Sequence, residues 1–168
     1  MQKITFDVKA MMRIAIVAAL YVALTYVVYP LSYGNLGIEF RVAEILVLLC
    51  FFNSEYIISL SIGCFIANIL GPMGIIDAVF GTIATLLSCV CIAKSKNIFI
   101  SSIYPIVFNA VIIGLELYYF YQIPLVFAML GVAIGEFVVI TLIGCPLFYL
   151  LKKRDDFLEI IGTRKKWA

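Results

Sequence analysis

The sequence predicts an all-α integral membrane protein: one domain, residues 1–168, folded as a bundle of six transmembrane helices with both termini cytoplasmic. Three observations predict it. The chain is 65% hydrophobic and only 13% charged, against about 25% charged residues in soluble domains. Its apolar residues fall in long charge-free runs of the length a bilayer requires, about 20 residues. And its basic residues fall almost wholly on one side once those runs are taken as crossings. A soluble domain this small could not bury so much apolar surface. Disordered and low-complexity architectures are excluded by the same composition.

The spans read as 10–29, 41–53, 55–71, 74–93, 98–120 and 124–151, in a multi-pass protein of the cell membrane. The breaks follow the local chemistry. Pro30, Gly34 and Gly37 end the first run, and Asn53-Ser54 the second. Gly71-Pro72 with Gly74 end the third, Lys94 to Asn97 the fourth, and Gln122 to Pro124 the fifth. The first run is too long for a signal-peptide core, so it is expected to be retained. The second, about 13 residues, is short for a crossing. Eleven of the twelve Lys and Arg residues then lie inside: Lys3, Lys9, Arg13, Lys94, Lys96, Lys152, Lys153, Arg154, Arg164, Lys165 and Lys166. Only Arg41 lies outside. Splitting 124–151 into two crossings would reverse the tail and is rejected. Phe157, Ile160, Ile161 and Trp167 of the tail read as a surface anchor.

A charge at the centre of a membrane helix costs about 2.5–3.5 kcal/mol, so intramembrane polar groups call for a role. They are Arg41, Glu44, Asn68, Asp77, Asn109, Glu116 and Glu136, with Glu39 and Gln122 at the edges. Most belong to the outer half of their spans. That distribution describes a cup open to the outside. A channel would show charge at both depths. The cup is acidic, with Arg41 as its one counter-charge. Each residue also has a plainer reading. Arg41 and Glu44, three apart, can pair. Asp77 suits a helix N-terminus. Asn68 can bond between helices, and Glu116 can reach headgroups. Glu55, at an inner turn, reads as solvated. Tyr29, Tyr33, Phe40, Tyr118 and Tyr119 could stack on a flat ring or form an interfacial belt.

Surplus carboxylates suit a cation or a donor-rich ligand, because one carboxylate accepts two parallel N–H bonds. Ala15, Ala19 and Ala23 share a face of the first helix and allow close approach of another helix. Gly131 and Gly135 form a second such spacing. The chain has no His, so no His-based metal site or triad exists. The five cysteines sit in apolar runs without ligand spacing. No cofactor is expected, and the small net charge of +2 gives no case for nucleic acid. No phosphate-binding G-x-x-x-x-G-K-[ST] motif occurs, so the chain does not use ATP in that way.

Together these features resemble the substrate-binding S component of an energy-coupling-factor (ECF) transporter, an ABC-type importer. Within that group the chain is similar to the QueT family. The likeness lies in Phe40-Arg41-Val42-Ala43-Glu44, in Gly63 to Gly71 around Asn68, and in Asp77 to Leu86. Ala43 departs from the family's Arg-x-Ser-Glu but leaves Arg and Glu in place. The resemblance implies a binding subunit, not an enzyme, for a queuosine precursor: queuine or a 7-aminomethyl-7-deazaguanine. It implies that Ala15, Ala19 and Ala23 dock on a transmembrane T subunit that works with two ATPase subunits. It also implies that the loop 30–39 serves as a lid. An S component for another vitamin such as thiamin, a free-standing secondary transporter and a small membrane enzyme remain alternatives.

Overall fold

A computed structural model describes residues 7–32 and 39–163, and every described element is helical. Four helices are long and apolar enough to cross a bilayer: α1 (Val8–Val27), α4 (Ile75–Lys94), α5 (Ile98–Tyr121) and α6 (Leu125–Leu151). Two shorter apolar helices lie between α1 and α4, α2 (Val42–Phe51) and α3 (Tyr56–Ile69). A six-residue helix, α7 (Asp155–Ile160), follows. Residues 33–38 of the expected lid, Tyr33, expected to stack on a ring or join the interfacial belt, and Trp167, expected in the tail anchor, lie outside the described residues.

The outward faces are apolar. Ile83, Val107, Val111, Leu130, Ile134 and Leu142 are 44–56% exposed. Water would not tolerate such a continuous surface, whereas lipid solvates it. The chain is therefore a multi-pass membrane protein.

Polar groups and small residues face inward. On α4, Asp77, Gly81, Thr85 and Ser88 recur at helical spacing and are all buried. On α1, Ala18 and Tyr21 are buried and meet Gly63 of α3, where a Cβ would stand 2.9 Å from the Tyr21 Cβ and 3.0 Å from the Ala18 carbonyl. Ser59 of α3 also donates to the Ile14 carbonyl at 2.9 Å. Gly74 begins α4 at φ 61°, a conformation open to glycine but strained for other residues. Asp7 caps α1 by accepting the Ala10 N–H at 2.7 Å.

Packing runs in series, α1 on α3, α3 on α4, α4 on α5, α5 on α6. α2 threads the middle and touches α1, α3, α4 and α6. It is wound as a 3-10 helix. Such a helix rises about 2.0 Å per residue, so its ten residues cover about 20 Å, against about 15 Å as an α-helix. Seven of its ten residues are apolar and buried, from Ala43 to Phe51. α6 runs unbroken but opens into a π-helical stretch over Phe137–Gly144, directly after Glu136.

Two expectations are corrected at the Arg13 end of the bundle. Glu55 is not solvated. Its side chain has no exposure and pairs with Arg13, Nε to Oε1, at 2.6 Å. The tail does not lie flat on the surface either. Phe157 packs edge-on to Phe52 and Phe148. Ile161 is buried, and its carbonyl accepts the Tyr56 hydroxyl at 3.0 Å. The Asn53 amide donates to the Gly162 carbonyl at 2.8 Å. Gly162, at φ 60°, lies against the Arg13 guanidinium. Of the described anchor residues only Ile160 points outward, 71% exposed. Apolar spacing alone did not distinguish a lipid surface from the bundle's own end as the partner of Phe157 and Ile161.

Glu55→Ala leaves Arg13 without its partner. It should cost about 3 kcal/mol, the lower end for a broken buried pair, because Arg13 keeps 21% of its side chain exposed. Thermal unfolding in detergent micelles reads this loss. The Arg13→Ala, Glu55→Ala double variant should cost less than the two single changes added together.

Candidate functional site

Carboxylates from several elements meet at the Arg41 end. Arg41 is held from two sides. Its Nε donates to Glu39 Oε2 at 2.9 Å, and its Nη2 donates to Asp77 Oδ1 and Oδ2 at 3.1 and 3.3 Å. Burial pushes the Glu39 carboxyl above its ordinary range, and the Arg41 charge offsets only part of that rise.

Gly81, one turn along α4 from Asp77, makes room for this arrangement. A Cβ there would collide with the Asn68 amide. Asn68 bonds α3 to α4: its Nδ2 donates to the Asp77 carbonyl at 3.2 Å and reaches Cys64 Sγ at 3.4 Å. The other small-residue spacing is also used inside the chain. Gly135 of α6 lies against the Glu39 backbone, where a Cβ would meet the carbonyl.

Glu44, on the first turn of α2, is fully buried. Its Oε1 accepts the Tyr21 hydroxyl in a short hydrogen bond and stands 3.5 Å from Thr85 Oγ1. Deeper in the bundle, Asn109 Nδ2 of α5 donates to Glu136 Oε1 of α6 at 2.6 Å. Glu136 lies within electrostatic reach of Glu44, Arg41 and Glu39. Glu116 shares that reach with Asp77, Arg41 and Glu39. The seven expected site residues thus converge on one region from α3, α4, α5, α6 and the start of α2.

Four carboxylate oxygens of this region are buried and take no hydrogen bond from the described residues: Glu44 Oε2, both oxygens of Glu116, and Glu136 Oε2. A carboxylate has about four acceptor positions, and buried acceptors without donors are costly. Glu116 also borders a mostly apolar groove of about 490 Å³ lined by Phe80, Leu115, Tyr119 and Phe120.

Other expected groups are exposed or packed away from the carboxylates, Tyr119 excepted, which lines the groove beside Glu116. Gln122 is exposed and closes α5 in a left-handed conformation, φ 57°. Tyr29, Tyr118 and Tyr119 are 40–67% exposed, while Phe40 packs against the main core. Ala15, Ala19 and Ala23 are exposed on α1, clear of its buried Ala18 and Tyr21. Three participants escaped the sequence reading: Tyr21, Cys64 and Thr85. Thr85 carried a signal, since it stands two helical turns from Asp77 on the same face. Tyr21 carried none, being one apolar-looking residue of the first run.

Apolar outward faces around a shared cluster of buried carboxylates define a polytopic membrane protein with an acidic interior. The chain belongs to the QueT transporter family, whose family model matches residues 11–153. That family is one of transporters. It is similar to the Queuosine precursor transporter QueT of Lactococcus lactis subsp. cremoris (strain MG1363), 45% identical over 84 residues. That match covers 49% of this chain and 46% of the relative, so about half of the relative's length. No solved structure matches the chain.

Arg41→Ala would strand the buried Glu39 and Asp77 carboxylates together. The yield of monodisperse protein by size-exclusion chromatography should fall sharply. Arg41→Lys should recover only part of it, because an ammonium lacks the planar fork that reaches both acids.

Proposed function

We propose that this chain is the substrate-binding subunit of an ECF importer and captures a queuosine precursor from outside the cell. The observation that carries the reading is the set of four buried carboxylate oxygens without donors at Glu44, Glu116 and Glu136. Such acceptors suit a ligand rich in N–H groups. A guanine-type edge presents two parallel N–H donors to one carboxylate, and the Asn109 amide beside Glu136 can supply part of the mixed pattern the rest of the ring needs. The printed name of the Lactococcus relative supports the same ligand class.

In this reading the protein crosses the cell membrane six times, α2 and α3 supplying the two short crossings. Both termini lie in the cytoplasm, and the Arg41 end faces outward. Glu39, Arg41, Glu44, Asn68, Asp77, Asn109, Glu116 and Glu136 frame the site. The exposed Ala15, Ala19 and Ala23 face docks on the transmembrane T subunit, whose two ATPase partners supply the energy.

The purified chain in lipid nanodiscs should bind queuine or 7-aminomethyl-7-deazaguanine without ATP. Glu44→Ala and Glu136→Ala should each weaken binding about tenfold or more, the worth of one hydrogen bond to a charged group. Unchanged affinity in both variants rejects the site. Thiamin in the co-purified material would assign the chain to another class of S component. Uptake in cells lacking every coupling ATPase would make it a free-standing transporter.

A further inference from the structure

We infer that Glu116 is a separate seat for a cationic arm of the ligand, so the protein selects an amine-bearing 7-deazaguanine over one with a neutral, acceptor-only substituent. The inference rests on the deazaguanine reading above and adds the division of labour among the carboxylates.

Four observations place the cation at Glu116. Its residue is 1% exposed, and neither oxygen takes a hydrogen bond from the described residues. Glu44 and Glu136 each have one oxygen already engaged, by Tyr21 and Asn109. Glu116 therefore has the largest unmet acceptor capacity of the three. Second, the local positive charge is committed elsewhere: Arg41 pairs with Glu39 and Asp77. Glu116 feels both of those acids as well as Arg41.

Third, the groove that Glu116 borders carries three aromatic residues beside Leu115. Phe80 and Phe120 stand 6.2 Å apart between ring centroids, and Tyr119 lines the same groove. Ring faces attract a cation within about 6 Å, and more strongly where water is excluded. A carboxylate floor with aromatic sides suits an alkylammonium, whose three N–H groups need acceptors. A nitrile offers only an acceptor, and against Glu116 it would leave two acceptors facing each other.

Fourth, the spacing fits. Glu116 lies seven residues beyond Asn109 on α5, two turns along one face and about 10.5 Å by helical rise. Asn109 holds Glu136. A flat two-ring base bonded through its pyrimidine edge near Glu136 would carry a one-carbon arm to the level of Glu116.

The test is calorimetric titration of the full chain in nanodiscs with 7-aminomethyl-7-deazaguanine and with 7-cyano-7-deazaguanine. The wild-type protein should prefer the amine by about tenfold or more, the scale of one charge-assisted contact. Glu116→Gln should reduce that preference to about threefold or less while leaving nitrile affinity equal or higher. Glu116→Asp, which keeps the charge, should retain the preference. Phe120→Leu, at a half-exposed position, should weaken amine binding a few-fold and leave the nitrile unchanged, which serves should Glu116→Gln fail to fold. An amine preference that survives in both Glu116→Gln and Phe120→Leu overturns the inference. So does equal wild-type binding of the two bases, which leaves the deazaguanine reading standing. Wild-type protein that binds neither base overturns that reading and this inference with it.

Discussion

Arg41 stands where a loop, the start of α2 and the start of α4 converge, and the low dielectric there makes its charge costly unless acids surround it. Glu39 and Asp77 do so at 2.9 and 3.1 Å. Much of the local architecture follows from that requirement. Asp77 must lie at the start of α4, which the Gly71–Gly74 turn brings back toward the bundle. Gly81 must lack a side chain, because the Asn68 amide fills the space one turn below. Glu39 must come close, and its backbone in turn sits on Gly135 of α6. One guanidinium thereby sets the spacing of α3, α4 and α6 around it. With those two acids engaged, Glu44, Glu116 and Glu136 keep spare acceptor capacity within the same region.

The opposite end obeys the same rule with a different pair. Arg13 and Glu55 neutralise each other under the tail, and Asn53 and Tyr56 satisfy the carbonyls of Ile161 and Gly162. Between the two ends runs α2, almost wholly apolar and buried. Its narrow winding suits a central position, because a thinner helix lets its neighbours approach while it covers more length per residue. A ten-residue α-helix would leave the Arg41 and Asn53 levels about 5 Å closer together.

Composition and charge distribution made the membrane class legible, because lipid exposure demands apolar surface regardless of packing detail. The helical runs were legible for the same reason. The polar residues were legible as a group: an acid within an apolar run is too costly to be incidental. Their partners were harder to read. Arg41 and Glu44 sit three apart, yet the acids found around the guanidinium are Glu39 and Asp77, the second 36 residues away. Glu55 looked solvated because its immediate neighbours are turn residues, while its partner lies 42 residues earlier. Tyr21 became visible only once α1 and α2 were brought together. Local periodicity tells which face turns inward; it does not tell which chain lies opposite.

The winding of α6 has an angular consequence. With 3.6 residues per turn, Cys145 would lie about 180° around the axis from Glu136 and Phe148 about 120°. All three are nevertheless buried. Widening the coil over Phe137–Gly144 takes more residues per turn and subtracts part of that rotation. The acid can then look toward Asn109 while the thiol reaches the Ile98 carbonyl and Phe148 meets Phe52. An unbroken α-helix of the same composition would turn one of these groups to lipid. The aim of Glu136 is thus written in the hydrogen-bond pattern of eight residues that contribute no charge of their own.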